Sequence, residues 1–209
     1  MNIAENPLTM DEVLATRARE GDSAAFDVLV TRYQHQAVSI AFSVLRDWEV
    51  AKDASQNAFM KAFFGLKHFR QESAFKTWLI RIVLNEAKNA ARKDRLRRFF
   101  VLGKKSSDSE ADADDLFEHI PSQDKSPKEV MENKERAALI GQAIDELPDK
   151  EKNVFILRYV HEMPLSEIAE VLHIALGTVK AHLSHASEKM KRLLKDMKIE
   201  LGGDPNGQL

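Results

Sequence analysis

The side chains best placed to do chemistry in this 209-residue chain are charged groups gathered in blocks, and what they are suited to is holding polyanions. Residues 76–105 carry 10 basic and 2 acidic groups and contain the run Arg92-Lys93-Asp94-Arg95-Leu96-Arg97-Arg98, which fits a phosphate-facing surface. Residues 106–124 follow with 7 acidic groups and no basic one, the composition of a tethered polyanion. On charge alone, either block could equally be a solvated face or tail. Nearer the C-terminus, Lys180, His182, His185, Lys189 and Arg192 stand off a helical stripe formed by Val179, Leu183, Met190, Leu194 and Met197. The N-terminal half of such a helix can enter a major groove while its later cations meet phosphates. A plain helical hairpin with a solvated face is the competing reading.

The whole-chain balance of 31 Lys plus Arg against 33 Asp plus Glu, a formal charge of −2, is therefore a cancellation of blocks rather than evidence against nucleic acid. The absence of cysteine excludes a disulfide scaffold, a Cys-ligated zinc site, a thiol nucleophile and a redox switch. An enzyme finds no support, because there is no Gly-rich phosphate loop and no constellation of His and carboxylates; no cofactor and no small-molecule substrate are implied. His182 and His185, three residues apart with no third ligand, make a poor metal site. The N-terminus MNIAENPLTM lacks a basic region and an apolar run, and no stretch approaches the roughly 18 apolar residues of a membrane span. The expectation is a soluble, cytoplasmic protein with no membrane insertion.

Helical periodicity dominates, and strand alternation is nearly absent. From Ala24 to Leu45 the positions Phe26, Leu29, Val30, Tyr33, Ala37, Ile40, Ala41, Val44 and Leu45 form one apolar stripe. Val50, Ala54, Ala58, Phe59 and Phe63 form a second, and Phe75, Trp78, Leu79, Ile82, Val83, Ala87 and Ala90 a third that runs into the basic block. The aromatics Phe63, Phe69, Phe75 and Trp78 fall on these stripes and so read as core before they read as base platforms. Residues 101–129, rich in Ser, Asp and Lys, read as a flexible acidic linker. Helicity resumes at about residue 130, and Pro148 and Pro164 are each expected as the first residue of a helix. Pro164 to Leu172, a break at His173 to Ala175, and a helix over 176–198 make a helix-turn-helix, in which Ala169 is small where the two helices cross. The fold class expected is all-α: a domain over 10–100, the linker over 101–129, a helix-turn-helix domain over 130–198 and a disordered tail over 199–209.

The stretches Asp53-Ala-Ser-Gln56-Asn-Ala-Phe59, Phe69-Arg-Gln-Glu-Ser-Ala-Phe-Lys-Thr-Trp78-Leu-Ile-Arg-Ile-Val-Leu-Asn85, Leu147-Pro148, Glu167-Ile-Ala169 and Gly177-Thr-Val-Lys180 occur in an order that resembles the extracytoplasmic-function (ECF) sigma factors, over about residues 10 to 198. The resemblance implies a chain that binds core RNA polymerase and directs promoter-specific initiation, in a stress or envelope response, under the control of an anti-sigma factor. A helix-turn-helix regulator acting without polymerase is the alternative, but it would not need Asp53 to Phe59. In the family, the helix bearing Asp53, Gln56, Asn57 and Phe59 docks on polymerase, and Asn57 stands where Glu is usual, which removes a charge from that contact. The next helix and the loop before it handle the minus-10 element by capturing an extruded base. Arg70, Gln71, Glu72 and Ser73 can read a base edge there, Asn85 offers a donor and an acceptor, and Trp78 stands in the same stretch. Lys76, Arg81, Lys88, Arg92 and Lys93 can follow the strand's phosphates. The acidic linker would thread the polymerase cleft. Thr178, Lys180, Ala181, His182, Ser184, His185 and Lys189 would read the minus-35 element. His173 stands where the family has Gly and Ala175 where it has Ser, and His replaces the frequent Arg at 182 and 185. The implied minus-35 affinity is weak and rises as the histidines protonate.

Overall fold

The computed structural model describes residues 10–69, 73–102 and 138–200, with only the backbone described for 98–102 and 196–200. Every regular element among the described residues is helical. Two compact units form: one holds the helices before the acidic block, the other most of those after it. The expected linker, the start of the second helical stretch before 138 and the tail beyond 200 lie outside the described residues.

In the first unit, α1 spans Met10–Arg19, α2 Ser23–Leu45, α3 Trp48–Gly65 and α4 Phe75–Leu102, with a short 3-10 turn at Leu66–His68. The second and third helices start where an aspartate can accept from the first turn. Asp22 accepts from Ala25 N at 3.1 Å and Asp47 from Val50 N at 2.9 Å. The Ala25 amide and the Arg17 guanidinium hold the Asp22 carboxyl below its usual range. Helix α2 ends at Arg46, whose left-handed φ of 56° lets its N–H reach Phe42 O at 2.8 Å. Leu29, Ile40, Ala51, Ala58, Phe75, Leu79, Val83 and Ala87 fill the core, with almost no exposure.

Three features depart from the sequence reading here. Helix α1, absent from it, packs Leu14, Ala15 and Ala18 into the core. On α4, Ile80 and Leu84 are buried, whereas Trp78 and Ile82 are only half-buried, so the apolar stripe lies slightly to one side of the expected one. Phe69 and Phe75 are core residues as expected, but Phe63 is 43% exposed and packs on Phe26 and Phe64 at the surface.

After the acidic block, α5 runs over 138–145, α6 over Asp149–Phe155 with a π-helical turn at Ile156–Val160, α7 over Leu165–Leu172 and α8 over Leu176–Glu200. Pro148 precedes α6 rather than opening it: its carbonyl accepts the first helical bond, from Lys152 N at 2.8 Å, and Pro164 does the same for Ile168 N at 3.0 Å. Each proline thus sits one place earlier than expected, at the cap. The π turn, closed by His161 N on Ile156 O at 3.1 Å, brings both Ile156 and Leu157 inside. Ile156 joins a core that includes Ala143, Ile144, Leu147, Ala186 and Met190. Burial pushes the His161 imidazole down to about 4, so it is neutral in the fold at physiological pH.

Candidate nucleic-acid and polymerase interface

On α3 the buried stripe passes through Ala51, Ala54, Ala58 and Ala62, and this turns Asp53, Gln56 and Asn57 out into solvent on one face. Phe59 faces the other way and is 8% exposed, so its place is in the packing under that face. Helical spacing puts Met60, Phe63 and Phe64 on the outward face, with exposures of 54%, 43% and 70%. The result is one continuous strip, polar at its start and apolar at its end. The sequence reading missed the second half because it assigned Phe63 to the core.

Between α3 and α4 lies an open groove of about 650 Å³, lined by Trp78, Asn85, Lys88, Asn89 and Arg92 from α4 and by Lys61, Gly65 and His68 from the α3 side. The spacing of Asn85, Lys88, Asn89 and Arg92 is i, i+3, i+4 and i+7, so they share one face, and that spacing alone would have pointed to Asn89. Across the groove Lys61 Nζ lies 2.6 Å from Glu86 Oε1, and Asn89 Nδ2 donates to the same oxygen at 3.3 Å. That bond orients the Asn89 amide. Trp78 packs against Phe69 and Phe75, with ring centroids at 4.8 and 5.8 Å. A Cβ on Gly65 would come within 3.3 Å of its ring, so the glycine is what lets Trp78 approach α3. Ser73 and Lys76 are half-buried at the start of α4, while Arg70, Gln71 and Glu72 lie outside the described residues. The arrangement offers an aromatic face, two amides of which Asn89 is held by a hydrogen bond, and cations along one wall, which is what binding of an unstacked strand requires.

On α8, Thr178, Lys180, Ala181, Ser184 and His185 are exposed and His182 is half-buried. The turn before it holds His173 at φ 53°, the left-handed region, and Ile174 N reaches back to Ala169 O at 3.1 Å. Ala175 stands at the cap, its carbonyl accepting from Val179 N at 3.1 Å. Lys189 does not point away with the others: its Nζ donates to Glu146 O at 2.5 Å. His185 Nδ1 lies 3.9 Å from Glu151 Oε1. Among the described residues no group of three or more His, Asp or Glu side chains could hold a metal. No helix among them is long and apolar enough to cross a membrane.

Residues 29–97 match the family model for sigma-70 region 2, and residues 137–190 match that for sigma-70 region 4. The RNA polymerase sigma-H factor of Pseudomonas aeruginosa is 34% identical over 191 residues, covering 90% of this chain and 95% of that protein. The chain belongs to the sigma-70 family. Within it this is an ECF sigma factor: the ECF RNA polymerase sigma-E factor of Escherichia coli is 32% identical over 183 residues, covering 85% of this chain and 91% of that one. Among solved structures, CnrH in complex with the cytosolic domain of CnrY has the same fold, with a TM-score of 0.65, 22% identity, and coverage of 90% of this chain and 99% of that one. The sigma factor RpoE in complex with the anti-sigma factor NepR, from Bartonella quintana, gives 0.60 at 22% identity, over 81% and 96% of the two chains. As a sigma factor the chain binds core RNA polymerase and directs initiation at specific promoters, which sets aside a regulator working without polymerase.

Proposed function

We propose that the two units divide promoter recognition, with residues 10–100 docking on polymerase and opening the minus-10 element and residues 130–198 reading the minus-35 duplex. The observation that carries this is the groove in which Trp78, Asn85 and Asn89 meet Lys88 and Arg92. An extruded base stacks and hydrogen-bonds there, recovering the few kcal/mol that unstacking costs, while the cations follow the strand. Asp53, Gln56 and Asn57 form the polar part of the polymerase-docking face, and Met60, Phe63 and Phe64 extend it. Thr178, Lys180, Ala181, His182 and Ser184 enter the minus-35 major groove.

Core polymerase supplies all the chemistry, so the chain is not itself an enzyme, and it works in the cytoplasm where polymerase is. An anti-sigma factor holds it inactive, as the neighbour's complex with NepR suggests by analogy. The acidic residues 106–124 occupy basic surfaces of the polymerase until RNA displaces them, and neutralising them should lengthen abortive products. Run-off transcription with core enzyme, followed by sequencing of the starts, tests the whole reading. Defined starts that shift with Asn85→Ala plus Asn89→Ala support it; starts no different from those of core enzyme alone would sink it.

A further inference from the structure

Helix α1 carries two charged residues that belong to none of these surfaces. Glu12 is 8% exposed, and its Oε1 accepts from Phe75 N at 3.0 Å, a buried bond between residues 63 positions apart. Phe75 is the first residue of α4, and Ala74 before it has no side-chain oxygen, although its carbonyl accepts from Trp78 N at 3.1 Å. The start of α4 therefore draws its carboxylate from another helix, where the free N–H groups and the helix dipole favour negative charge. Farther along α1, Arg19 Nη1 lies 3.5 Å from Phe69 O, a longer and weaker contact. Phe69 and Phe75 touch edge to face, with centroids 6.1 Å apart. Asp11, next to Glu12, binds both Arg32 and Tyr33, which ties α1 to α2. One helix thus holds both Phe69 and the first turn of α4 against α2.

The second oxygen, Oε2, is buried with no hydrogen-bond partner among the described residues, so the carboxylate engages the fold through Oε1 alone. What the carboxylate supplies is a fixed position for Phe75 N. We infer that Glu12 and Arg19 are positioning residues for promoter opening, setting Phe69 and the first turn of α4 in the geometry that holds an unpaired base. They touch no DNA themselves. The inference rests on the reading that the start of α4 and its groove engage such a base.

The test uses holoenzyme reconstituted from full-length chain and core polymerase on pre-melted templates of a promoter mapped by its start site. Each template carries an abasic site at a successive nontemplate position of the minus-10 element. Wild-type holoenzyme should prefer the intact template most strongly over the one abasic at the captured base. In Glu12→Ala and Arg19→Ala that preference should shrink, by up to about tenfold for Glu12→Ala, the factor carried by roughly one well-placed hydrogen bond. Glu12→Gln, whose amide oxygen can still accept from Phe75 N, should keep most of it. Equal loss on intact and abasic templates, with the preference kept, would mean that Glu12 merely supports the fold and would overturn the inference. If Glu12→Ala does not fold, Arg19→Ala carries the same ratio, and an unchanged preference there overturns the inference equally. A wild-type holoenzyme with no position-dependent preference would fail the groove reading itself, an outcome separate from either.

Discussion

Helix α4 starts inside its unit, with Phe75 fully buried and its N–H on the buried Glu12 carboxylate, whereas α8 starts at the surface, with Leu176 42% exposed after a turn that holds His173 at φ 53°. Neither helix has a side-chain oxygen at the residue before its first turn, since Ala74 and Ala175 occupy those places. The difference matches the two tasks proposed for them. Holding an unstacked base needs donors and acceptors fixed in advance, because unstacking costs a few kcal/mol that only well-placed contacts recover. Reading an intact duplex needs only that a helix lie in the groove, and a helix start that adjusts on contact is compatible with that.

The comparison is sharpest at the first residue of each helix. Phe75→Ala should destabilise the first unit by about 3–5 kcal/mol, the usual cost of emptying a buried phenylalanine site. Leu176→Ala should change the second by no more than about 0.5 kcal/mol, as for other exposed positions. Urea unfolding followed by tryptophan fluorescence reports the first unit, because Trp48 and Trp78 both lie there, and amide exchange along α6 and α8 reports the second. Similar costs at the two residues would erase the contrast.

Acid should separate the units next. His161 is half-buried, and that desolvation pushes its pKa down to about 4, while the unfolded chain takes up the proton near 6.5. Between those values the unfolded state binds more protons, so the second unit loses stability as pH falls through that window, by up to about 3 kcal/mol. Amide exchange of α6 and α8 between pH 6.5 and 4.5 measures the slope, and His161→Leu should flatten it. A slope that persists in the variant would place the sensitive group elsewhere.

A smaller effect is expected from repairing the start of α8. Ala175→Ser supplies the missing cap oxygen, worth about 0.5–2 kcal/mol, and His173→Gly removes left-handed strain. If the exposed start limits minus-35 binding, holoenzyme carrying both changes should bind that duplex more tightly. Greater stability without tighter binding would show that the start of α8 is not what sets affinity.

The helices of the first unit were largely legible because their stripes repeat at three and four, from Phe26 through Ile40 on α2 and from Phe75 through Ala87 on α4. Helix α1 was not, since ten residues with four charges between Asp11 and Arg19 give a weak pattern. The link from Glu12 to Phe75 spans 63 positions, and no local spacing encodes it. After α6 the π turn inserts a residue into the helical period and brings the neighbours Ile156 and Leu157 inside together, which no regular spacing of apolar positions signals. Half of the α3–α4 groove was visible in Asn85, Lys88 and Arg92. Lys61, His68 and Glu86 entered only when two helices were packed side by side.

The least effect expected concerns the basic side chains of α8, which do not face alike. His185 Nδ1 lies 3.9 Å from Glu151 Oε1, and Lys189 is turned to Glu146 O, so both are engaged within the unit. Lys180, exposed near the start of the helix, is the cation left to face a duplex. Lys180→Ala should weaken minus-35 binding about two- to fivefold, what one surface charge contact of up to about 1 kcal/mol supplies. Lys189→Ala should leave it nearly intact. Filter binding of the minus-35 duplex by holoenzyme measures both, and a larger loss in Lys189→Ala than in Lys180→Ala would reverse the assignment of faces on α8.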